Sequence, residues 1–223
     1  MKKWLLLCLL LPLFISAENW EKYKRKTLAH QKEIPGWCSL EKAEKLMNLI
    51  CDTRPKVCVE IGVFGGSSIY PTAMALKFLD DGVIYAIDPW DAADCGQGLE
   101  PDDVNATWYR NVNLEKIYRD FLKMLDHFHI ASYTRVLRMN SKEAAIYFND
   151  ESIDILHVDG NHSPEISMRD VKLYIPKVKK GGYLWFDDAN WQETQMTVQY
   201  LKDTLQLVPE RSVGDACLLF RKP

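Results

Sequence analysis

The sequence lacks three features that would assign it to common protein classes. Its longest apolar run, Trp4–Ile15, is shorter than the roughly 20 residues that a membrane-spanning helix needs. It has no excess of basic residues, because the formal net charge of the 223 residues is −3, and most nucleic-acid-binding proteins carry a basic surface. Its six cysteines show no spacing typical of a zinc site. These absences predict a protein with no transmembrane span and no nucleic-acid partner.

The first 17 residues have the three-part pattern of a secretory signal. Lys2 and Lys3 precede the apolar run, and Ser16-Ala17 follows it before the sequence turns polar. We therefore predict a signal-like segment over residues 1–17, which favours export. The alternative is an amphipathic or buried N-terminal segment.

Residues 18–54 are predicted to form a helical arm. Ser39 is a good N-cap for a helix over Leu40–Asp52, in which apolar residues recur at helical spacing. Pro35-Gly36-Trp37 separates this helix from an earlier one. Such an arm could cover the mouth of a site or could only pack on the domain that follows, residues 55–223, and the sequence leaves both readings open.

The domain begins with a strand, a glycine-rich turn and a second strand that ends in an acid. Lys56–Ile61 reads as a strand, and three glycines in the turn Gly62–Gly66 let the backbone approach a ligand closely. Their spacing differs from the G-x-G-x-x-G of dinucleotide-binding proteins, which disfavours a nicotinamide-linked oxidoreductase. Asp88 ends the second strand, Val83–Ile87, where a carboxylate is placed to accept two hydroxyls of a ribose.

Two further strands end in acids and enclose one helix. Ile153–Asp159 and Gly181–Asp188 are short and mostly apolar, which is typical of the inner strands of a parallel sheet. Parallel strands that are joined by a right-handed crossover place their carboxyl ends on the same edge of the sheet. We therefore expect the acids at the two strand ends, Asp159, Asp187 and Asp188, to converge.

Four segments resemble the successive motifs of class I S-adenosylmethionine-dependent methyltransferases: Glu60–Ser67, Ile87–Trp90, Val158–His162 and Gly181–Asp188. The nearest branch is that of the macrocin-type sugar O-methyltransferases, and the resemblance covers about Lys56–Pro223. It implies an α/β, Rossmann-like fold: a seven-stranded, mostly parallel sheet with helices on both faces and a late antiparallel strand.

The resemblance also implies S-adenosylmethionine as cofactor and residues that hold it: Glu60, Gly62, Gly66, Ser67 and Asp88. Asn140 and Ser141 follow a predicted strand, Arg135–Met139, at the corner that lies by the adenine in the family. They are further cofactor candidates, and an ordinary helix N-cap is the alternative reading.

The three strand-end aspartates, Asp159, Asp187 and Asp188, predict a metal site. They offer only hard oxygen donors, which favour Mg²⁺ over zinc or copper, and such an ion would orient a hydroxyl and lower its pKa. In related metal-dependent O-methyltransferases a basic side chain three residues after the first metal aspartate takes the proton. His162 has that place, so His162 and Asp159 are the candidate catalytic residues. The alternatives are strand-end caps without metal and a histidine that only stabilises its turn.

Together these expectations give a Mg²⁺-assisted O-methyltransferase that acts on a small hydroxylated acceptor. The insertion at about residues 91–133 is predicted to select the acceptor, because long insertions at this edge of a sheet usually cover a site. The alternative is an exported, non-catalytic ligand-binding protein with a methyltransferase-like fold. The signal-like segment favours export, whereas the cytoplasmic supply of S-adenosylmethionine favours the cytoplasm. The oligomeric state stays open, with a homo-oligomer as one option.

Overall fold

The computed structural model describes residues 17–223, with side chains described from Glu18 onward. The predicted signal-like segment, residues 1–17, therefore lies outside the described residues except for the backbone of Ala17. The strands are β1 Val57–Ile61, β2 Val83–Ile87, β3 Thr134–Leu137, β4 Ile153–Val158, β5 Val178–Phe186, β6 Gln206–Leu207 and β7 Leu218–Arg221. The α-helices are α1 Ala17–Ala29, α2 Leu40–Thr53, α3 Ile69–Leu79, α4 Ala92–Cys95, α5 Val104–Asn111, α6 Leu114–His127, α7 Ser141–Ala144, α8 Pro164–Tyr174 and α9 Gln195–Thr204.

The strands form one seven-stranded sheet in the order β3-β2-β1-β4-β5-β7-β6. Strands β1 to β5 pair in parallel, and β7 runs antiparallel to both β5 and β6. This arrangement confirms the α/β fold that was predicted, including the late antiparallel strand. It places the carboxyl ends of β1, β2, β4 and β5 along a common edge.

Alternate residues of each inner strand pack into two separate hydrophobic cores, one on each face of the sheet. Cys58 in β1 packs in the core that includes residues of α2, α3 and α6, such as Leu46 and Phe121. The next residue, Val59, packs in the core that includes residues of α8 and α9, such as Val171. The sheet is therefore buried on both faces, which explains why its central strands are apolar along their length.

The N-terminal arm is part of the first core. Ser39 Oγ accepts a hydrogen bond of 3.1 Å from the backbone N–H of Lys42, so the predicted N-cap of α2 is confirmed. Helix α2 packs along α3, and α1 adds Trp20 to the same core. Within residues 17–223, no helix is both long enough and apolar enough to cross a membrane.

Several predicted boundaries differ from the structure. The helix expected from about Asn111 is α6, which begins at Leu114 because Asn113 Oδ1 accepts from a backbone N–H of its first turn at 2.9 Å. The helix expected after Ser141 is a single α-helical turn followed by a 3₁₀ turn. Strand β5 begins three residues before Gly181, since Val178 pairs with Ile153 across a register shift.

Candidate active site

A cavity of about 440 Å³ opens at the carboxyl edge of the sheet. Its wall is formed by the turn after β1, the ends of β2, β4 and β5, the start of α7, helices of the insertion and the arm residue Trp37. Most of the predicted site residues line it: Gly62, Ser67, Asp88, Asn140, Ser141, Asp159, His162 and Asp188. Glu60, Gly66 and Asp187 lie behind this wall.

Two glycines of the turn after β1 are required for different reasons. Gly62 has φ +85°, and a Cβ at this position would lie 1.9 Å from the backbone oxygen of Asp159, so glycine lets β1 and β4 end side by side. Gly66 has φ +88°, and its Cβ would meet Phe121 at 2.6 Å and Met124 at 2.8 Å. Gly66 therefore makes room for α6. This role differs from the contact with a cofactor that the sequence predicted.

Asp88 organises the turn after β1 through its carboxylate. Its Oδ2 atom accepts hydrogen bonds of 2.9 Å from the backbone N–H groups of Val63 and Phe64, and its Oδ1 atom accepts one of 2.7 Å from that of Trp90. Burial raises the pKa of Asp88 even though these three amides act to lower it. Three of about four acceptor positions on the carboxylate are thus in use, which leaves room for one ribose hydroxyl where the sequence suggested two.

Glu60 and Ser67 hold other protein groups. The wholly buried Glu60 carboxylate accepts from Ser68 Oγ at 2.5 Å and lies 3.0 Å from His157 Nδ1. Glu60 therefore supports the site from behind, because it has no surface on which a cofactor could bind. Ser67 Oγ accepts from the backbone N–H of Cys38 at 3.2 Å, which ties the arm to the turn while Ser67 still lines the cavity.

The start of α7 forms one wall of the cavity. Asn140 Oδ1 accepts from the backbone N–H of Glu143 at 3.0 Å, so the N-cap reading of Asn140 is confirmed. Ser141 Oγ donates to Asp170 Oδ1 at 2.7 Å and accepts from Arg169 Nη2 at 3.0 Å. Since Asn140 and Ser141 both line the cavity, their contact with a cofactor stays a prediction.

Asp159 and Asp187 end β4 and β5, and both carboxylates face a lysine of the arm. Lys42 Nζ donates to Asp159 Oδ2 at 3.1 Å and also to Asp187 Oδ2. Burial and the neighbouring Asp187 raise the pKa of Asp159 to about 7. Burial acts to raise the pKa of Asp187 as well, but Lys42 and His157 outweigh it and hold that pKa below the usual value.

His157 adds a second cation to this buried group. Its Nε2 atom lies 2.6 Å from Asp187 Oδ2, and its Nδ1 atom faces Glu60. Burial and the charge of Lys42 lower the pKa of His157, but the two carboxylates outweigh them and raise it to about 9. Two cations and three acids therefore form one network beneath the cavity floor.

Asp188 turns away from Asp187 and pairs with His162. It has φ +51°, in the left-handed region, and its Oδ2 atom lies 2.6 Å from His162 Nε2. Burial lowers the pKa of His162, but Asp188, Asp159 and Asp187 outweigh burial and raise it. The imidazole packs on Trp191, with ring centroids 4.6 Å apart. Both side chains of the pair line the cavity.

Aromatic rings from distant segments meet at the cavity. Trp37 of the arm lies 5.0 Å from Phe64 and 5.5 Å from Trp108 of the insertion, measured between ring centroids, and all three line the cavity. Among the other aromatic residues of the insertion, Tyr109 also lines the cavity, whereas Phe121 is buried in the core. The arm and the insertion thus both cover the site and pack on the domain.

Residues 59–189 match the family described as methyltransferase domain. This segment is more than half of the chain and contains the turn after β1, the insertion and the acidic ends of β4 and β5. The chain belongs to this family. It carries an S-adenosylmethionine-dependent methyltransferase domain, as the motif resemblance implied.

The chain is also similar to individual proteins. It is 30% identical over 148 residues to an uncharacterized protein, y4gI, of Sinorhizobium fredii, which is 66% of this chain but only 14% of that relative. The O-methyltransferase NovP has the same fold, with a TM-score of 0.67 at 16% identity over 91% of this chain and 97% of NovP. The O-methyltransferase TomG of Streptomyces achromogenes, solved in complex with S-adenosylmethionine, gives 0.62 at 15% identity over 91% of this chain and 89% of TomG.

The cavity of this domain suits S-adenosylmethionine. Its volume lies within the range of roughly 300–1,000 Å³ that is usual for small-molecule sites. Asp88 can accept one hydroxyl at the end of β2, and acidic side chains at the ends of β4 and β5 attract a positively charged sulfonium. Gly62, Ser67, Asp88, Asn140 and Ser141 are the predicted cofactor residues that line the wall.

The residues predicted to bind Mg²⁺ do not form a single group. Among the described residues, possible ligand atoms within 4.8 Å of one another belong to two groups that share one aspartate: His157, Asp159 and Asp187 in the first, and Asp159, His162 and Asp188 in the second. The second group faces the cavity and is a possible metal site. It contains an imidazole nitrogen in addition to the predicted carboxylates.

Mg²⁺ does not fit the first group. Lys42 Nζ already binds the Oδ2 atoms of both Asp159 and Asp187. A doubly charged ion about 4 Å from this ammonium would be repelled by ~8 kcal/mol at an effective dielectric constant near 20. The structure therefore does not bring the three aspartates together as one set of ligands, because Lys42 lies between two of them.

Sequence reasoning missed four polar residues of the site: Lys42, His157, Arg169 and Asp170. One signal was available for His157, because it pairs in register with Glu60 across two inner strands. Two ionisable residues opposite each other in a sheet that is buried on both faces must neutralise each other. Lys42 gave no such signal, since its partners lie more than 100 residues away along the chain.

Proposed function

We propose that this protein is an S-adenosylmethionine-dependent O-methyltransferase of a small hydroxylated acceptor, close to the macrocin-type branch. One observation carries the proposal: the paired His162 and Asp188 lie with Asp159 in the same cavity as Asp88 and the glycine turn. This puts a proton acceptor in the cavity that suits the methyl donor. Oxygen is the acceptor atom that needs such a base most, because hydroxyl groups are weakly nucleophilic until they lose their proton.

His162 is the proposed base. The Asp188 carboxylate accepts from His162 Nε2–H, which leaves Nδ1 as the ring nitrogen that can take a proton. Trp191 packs on the imidazole and limits its rotation. S-adenosylmethionine, when bound, would supply an electrophilic methyl group to the acceptor oxygen, and the electron pair of the C–S bond would stay on sulfur. The acceptor proton goes to His162 Nδ1, and Asp159 can orient the hydroxyl by accepting a hydrogen bond.

The aromatic rings at the cavity support a small acceptor with a flat or apolar face. Trp37, Trp108 and Trp191 come from the arm, the insertion and the segment after β5, and all three indoles line the cavity. Indole rings bind both phenol rings and the apolar faces of sugars without fixing which of the two is bound. The insertion would then select the acceptor, as predicted.

A second mode, assisted by Mg²⁺, is favoured by the cavity-facing group of ligands. Asp159, His162 and Asp188 place one atom each within 4.8 Å of the others. In this mode they would hold the ion, which would supply Lewis-acid chemistry, and His162 would no longer be free to act as base. Removal of divalent ions separates the modes, because the base mode keeps its turnover and the metal mode loses it.

The proposed function is tested with methyl-labelled S-adenosylmethionine and a panel of sugar diols, catechols and simple phenols. We expect the label on an oxygen atom of at least one acceptor, identified by mass spectrometry, together with S-adenosylhomocysteine. His162→Gln should lower kcat by about 10²-fold or more and leave the affinity for S-adenosylhomocysteine within about tenfold. His127→Gln, an exposed histidine of α6, is the matched control and should change neither. Label on nitrogen or carbon, or full activity in His162→Gln, would contradict the proposal.

A further inference from the structure

Lys42 lies where a metal ion would join the ends of β4 and β5. Its ammonium nitrogen lies 3.1 Å from Asp159 Oδ2 and also bonds to Asp187 Oδ2. The side chain of Lys42 is only 6% exposed, so water can solvate its charge very little. Two carboxylates therefore share one cation, and the chain itself supplies that cation.

The arm fixes the backbone at Lys42. Ser39 Oγ caps the helix by accepting from the N–H of Lys42, and the residues that follow on the buried side of α2 include Ala43, Leu46 and Met47. Leu46 and Met47 belong to the core that α2 shares with α3. Only side-chain rotation could withdraw the ammonium from the two carboxylates, because any movement of the backbone would disturb this core.

Helix preferences do not explain a lysine at this position. The first turn of a helix is the positive end of its dipole, where a cation is disfavoured. A buried lysine also loses most of its rotamer freedom and its hydration. The compensation for these costs is the pair of carboxylates, Asp159 and Asp187, and their charge is what the lysine neutralises.

We infer that Lys42 takes the place of a divalent ion between Asp159 and Asp187, so that methyl transfer needs no such ion. This inference rests on the proposed function and favours its base mode, because Lys42 already binds Asp159, the carboxylate that the cavity-facing group of ligands shares. Lys42 does not line the cavity, whereas Asp159 does. Lys42 is therefore a positioning residue, which holds the Asp159 carboxylate at the cavity wall beside a second, buried carboxylate.

The test is a titration with Mn²⁺, a probe for Mg²⁺ sites, followed by electron paramagnetic resonance. We expect the wild-type protein to leave Mn²⁺ free up to about 1 mM. Lys42→Ala should bind one Mn²⁺ at least tenfold more tightly, because two carboxylates and His157 then face an empty position. Mn²⁺ should also raise the Tm of Lys42→Ala and not that of the wild type, since only the variant gains a ligand.

Three control variants separate charge replacement from a merely structural role. Lys42→Arg keeps the cation and should bind Mn²⁺ no better than the wild type does. Lys45→Ala, one turn along on the same helix, removes a lysine that contacts Glu41 and the backbone oxygen of Ser212, and it should gain no site. The double substitution Lys42→Ala with Asp187→Asn should lose the gained site again.

Tight Mn²⁺ binding by the wild type would overturn the inference, whichever carboxylates bind the ion. A folded Lys42→Ala variant that gains no Mn²⁺ site would also overturn it. If Lys42→Ala folds only when refolded with Mn²⁺, that requirement counts as the expected gain. If Lys42→Ala folds neither with nor without Mn²⁺, the titration of the wild-type protein alone tests the inference. S-adenosylhomocysteine is titrated into the same samples. Its failure to bind would contradict the proposed function, whereas the Mn²⁺ titration tests only the inference about Lys42.

Discussion

His157 Nε2 lies 2.6 Å from the Oδ2 atom of Asp187, which follows the adjacent strand of the sheet. Both side chains are almost entirely buried, with 4% and 10% of their surface exposed. The contact joins the floor of the cavity to Glu60 in β1, because His157 uses its other ring nitrogen for that carboxylate. A histidine held between two acids should make the stability of the protein depend on pH.

The first prediction is that His157 stabilises the fold at neutral pH and loses this effect in alkaline solution. The carboxylates of Glu60 and Asp187 raise its pKa from the ordinary value of 6.5 to about 9 in the folded protein. Because the folded-state pKa is raised, the stabilisation is complete below about pH 6.5 and is lost as the pH rises through about 9. The difference in free energy of unfolding between wild type and His157→Gln, measured with urea, should shrink by about 3 kcal/mol over this range. A difference in free energy of unfolding that stays constant with pH would contradict this prediction.

The second prediction concerns the energy of the Lys42–Asp187 pair. Lys42→Met keeps most of the apolar stem but removes the charge, which leaves two buried carboxylates with one cation fewer, so we expect a loss of about 3–5 kcal/mol in the free energy of unfolding. Asp187→Asn should cost less in the Lys42→Met background than in the wild type, with a coupling energy of about 1 kcal/mol or more. Lys45→Met serves as the control and should cost below about 1 kcal/mol. Additive effects would show that the pair does not interact.

The third prediction is that Asp88 controls cofactor affinity through the backbone that it holds. Asp88→Asn keeps the size of the side chain but replaces an acceptor oxygen by a donor nitrogen, so at least one of the N–H groups of Val63, Phe64 and Trp90 loses its partner. Hydrogen bonds to charged groups contribute ~1.5–3 kcal/mol each, so we expect the Kd for S-adenosylhomocysteine to rise by about tenfold to a hundredfold. The control is Asp215→Asn, at an exposed site in the β6–β7 connection, which should leave the Kd unchanged. Equal affinities would show that the turn needs no carboxylate.

The fourth prediction separates a steric clash from an unfavourable φ. Gly62→Ala would place its Cβ 1.9 Å from the backbone oxygen of Asp159, whereas a Cβ at Gly214 meets nothing within 4 Å although its φ is also positive. Gly214→Ala should lower the free energy of unfolding only by the cost of the left-handed conformation, about 1–2 kcal/mol. Gly62→Ala should cost clearly more, because neither backbone segment can move without shifting a strand. Thermal unfolding of the two variants makes the comparison, and equal losses would contradict the clash.

Local pattern and the motif resemblance together were sufficient to predict the fold and much of the cavity wall. The apolar strands and the acids that end them predicted the parallel sheet and its functional edge, since strand polarity alone places Asp88 and Asp159 there. The cap of α2 also followed from local sequence, because Ser39 and the first turn of the helix are neighbours along the chain. Such features depend on contacts within a few residues.

Features that depend on long-range packing could not be predicted. Lys42 reads as an ordinary polar residue of a helix, and only its distance to Asp159 and Asp187 in the folded chain shows its position in the site. The divergence of Asp187 and Asp188 follows from the left-handed φ at Asp188, a conformation that an aspartate permits but does not predict. Glu60 and Gly66 were assigned to the cavity because they lie in the motif, but packing of α6 and the pairing with His157 place them behind its wall.

The most direct test of the account is a calorimetric titration of the wild-type protein with S-adenosylhomocysteine, with NAD in a parallel cell. The cavity at the carboxyl edge, with Asp88 and the glycine turn, predicts binding of one S-adenosylhomocysteine per chain with a micromolar Kd and no binding of NAD. Absence of S-adenosylhomocysteine binding by a folded sample, or binding of NAD in its place, would contradict the assignment of the cavity to the methyl donor.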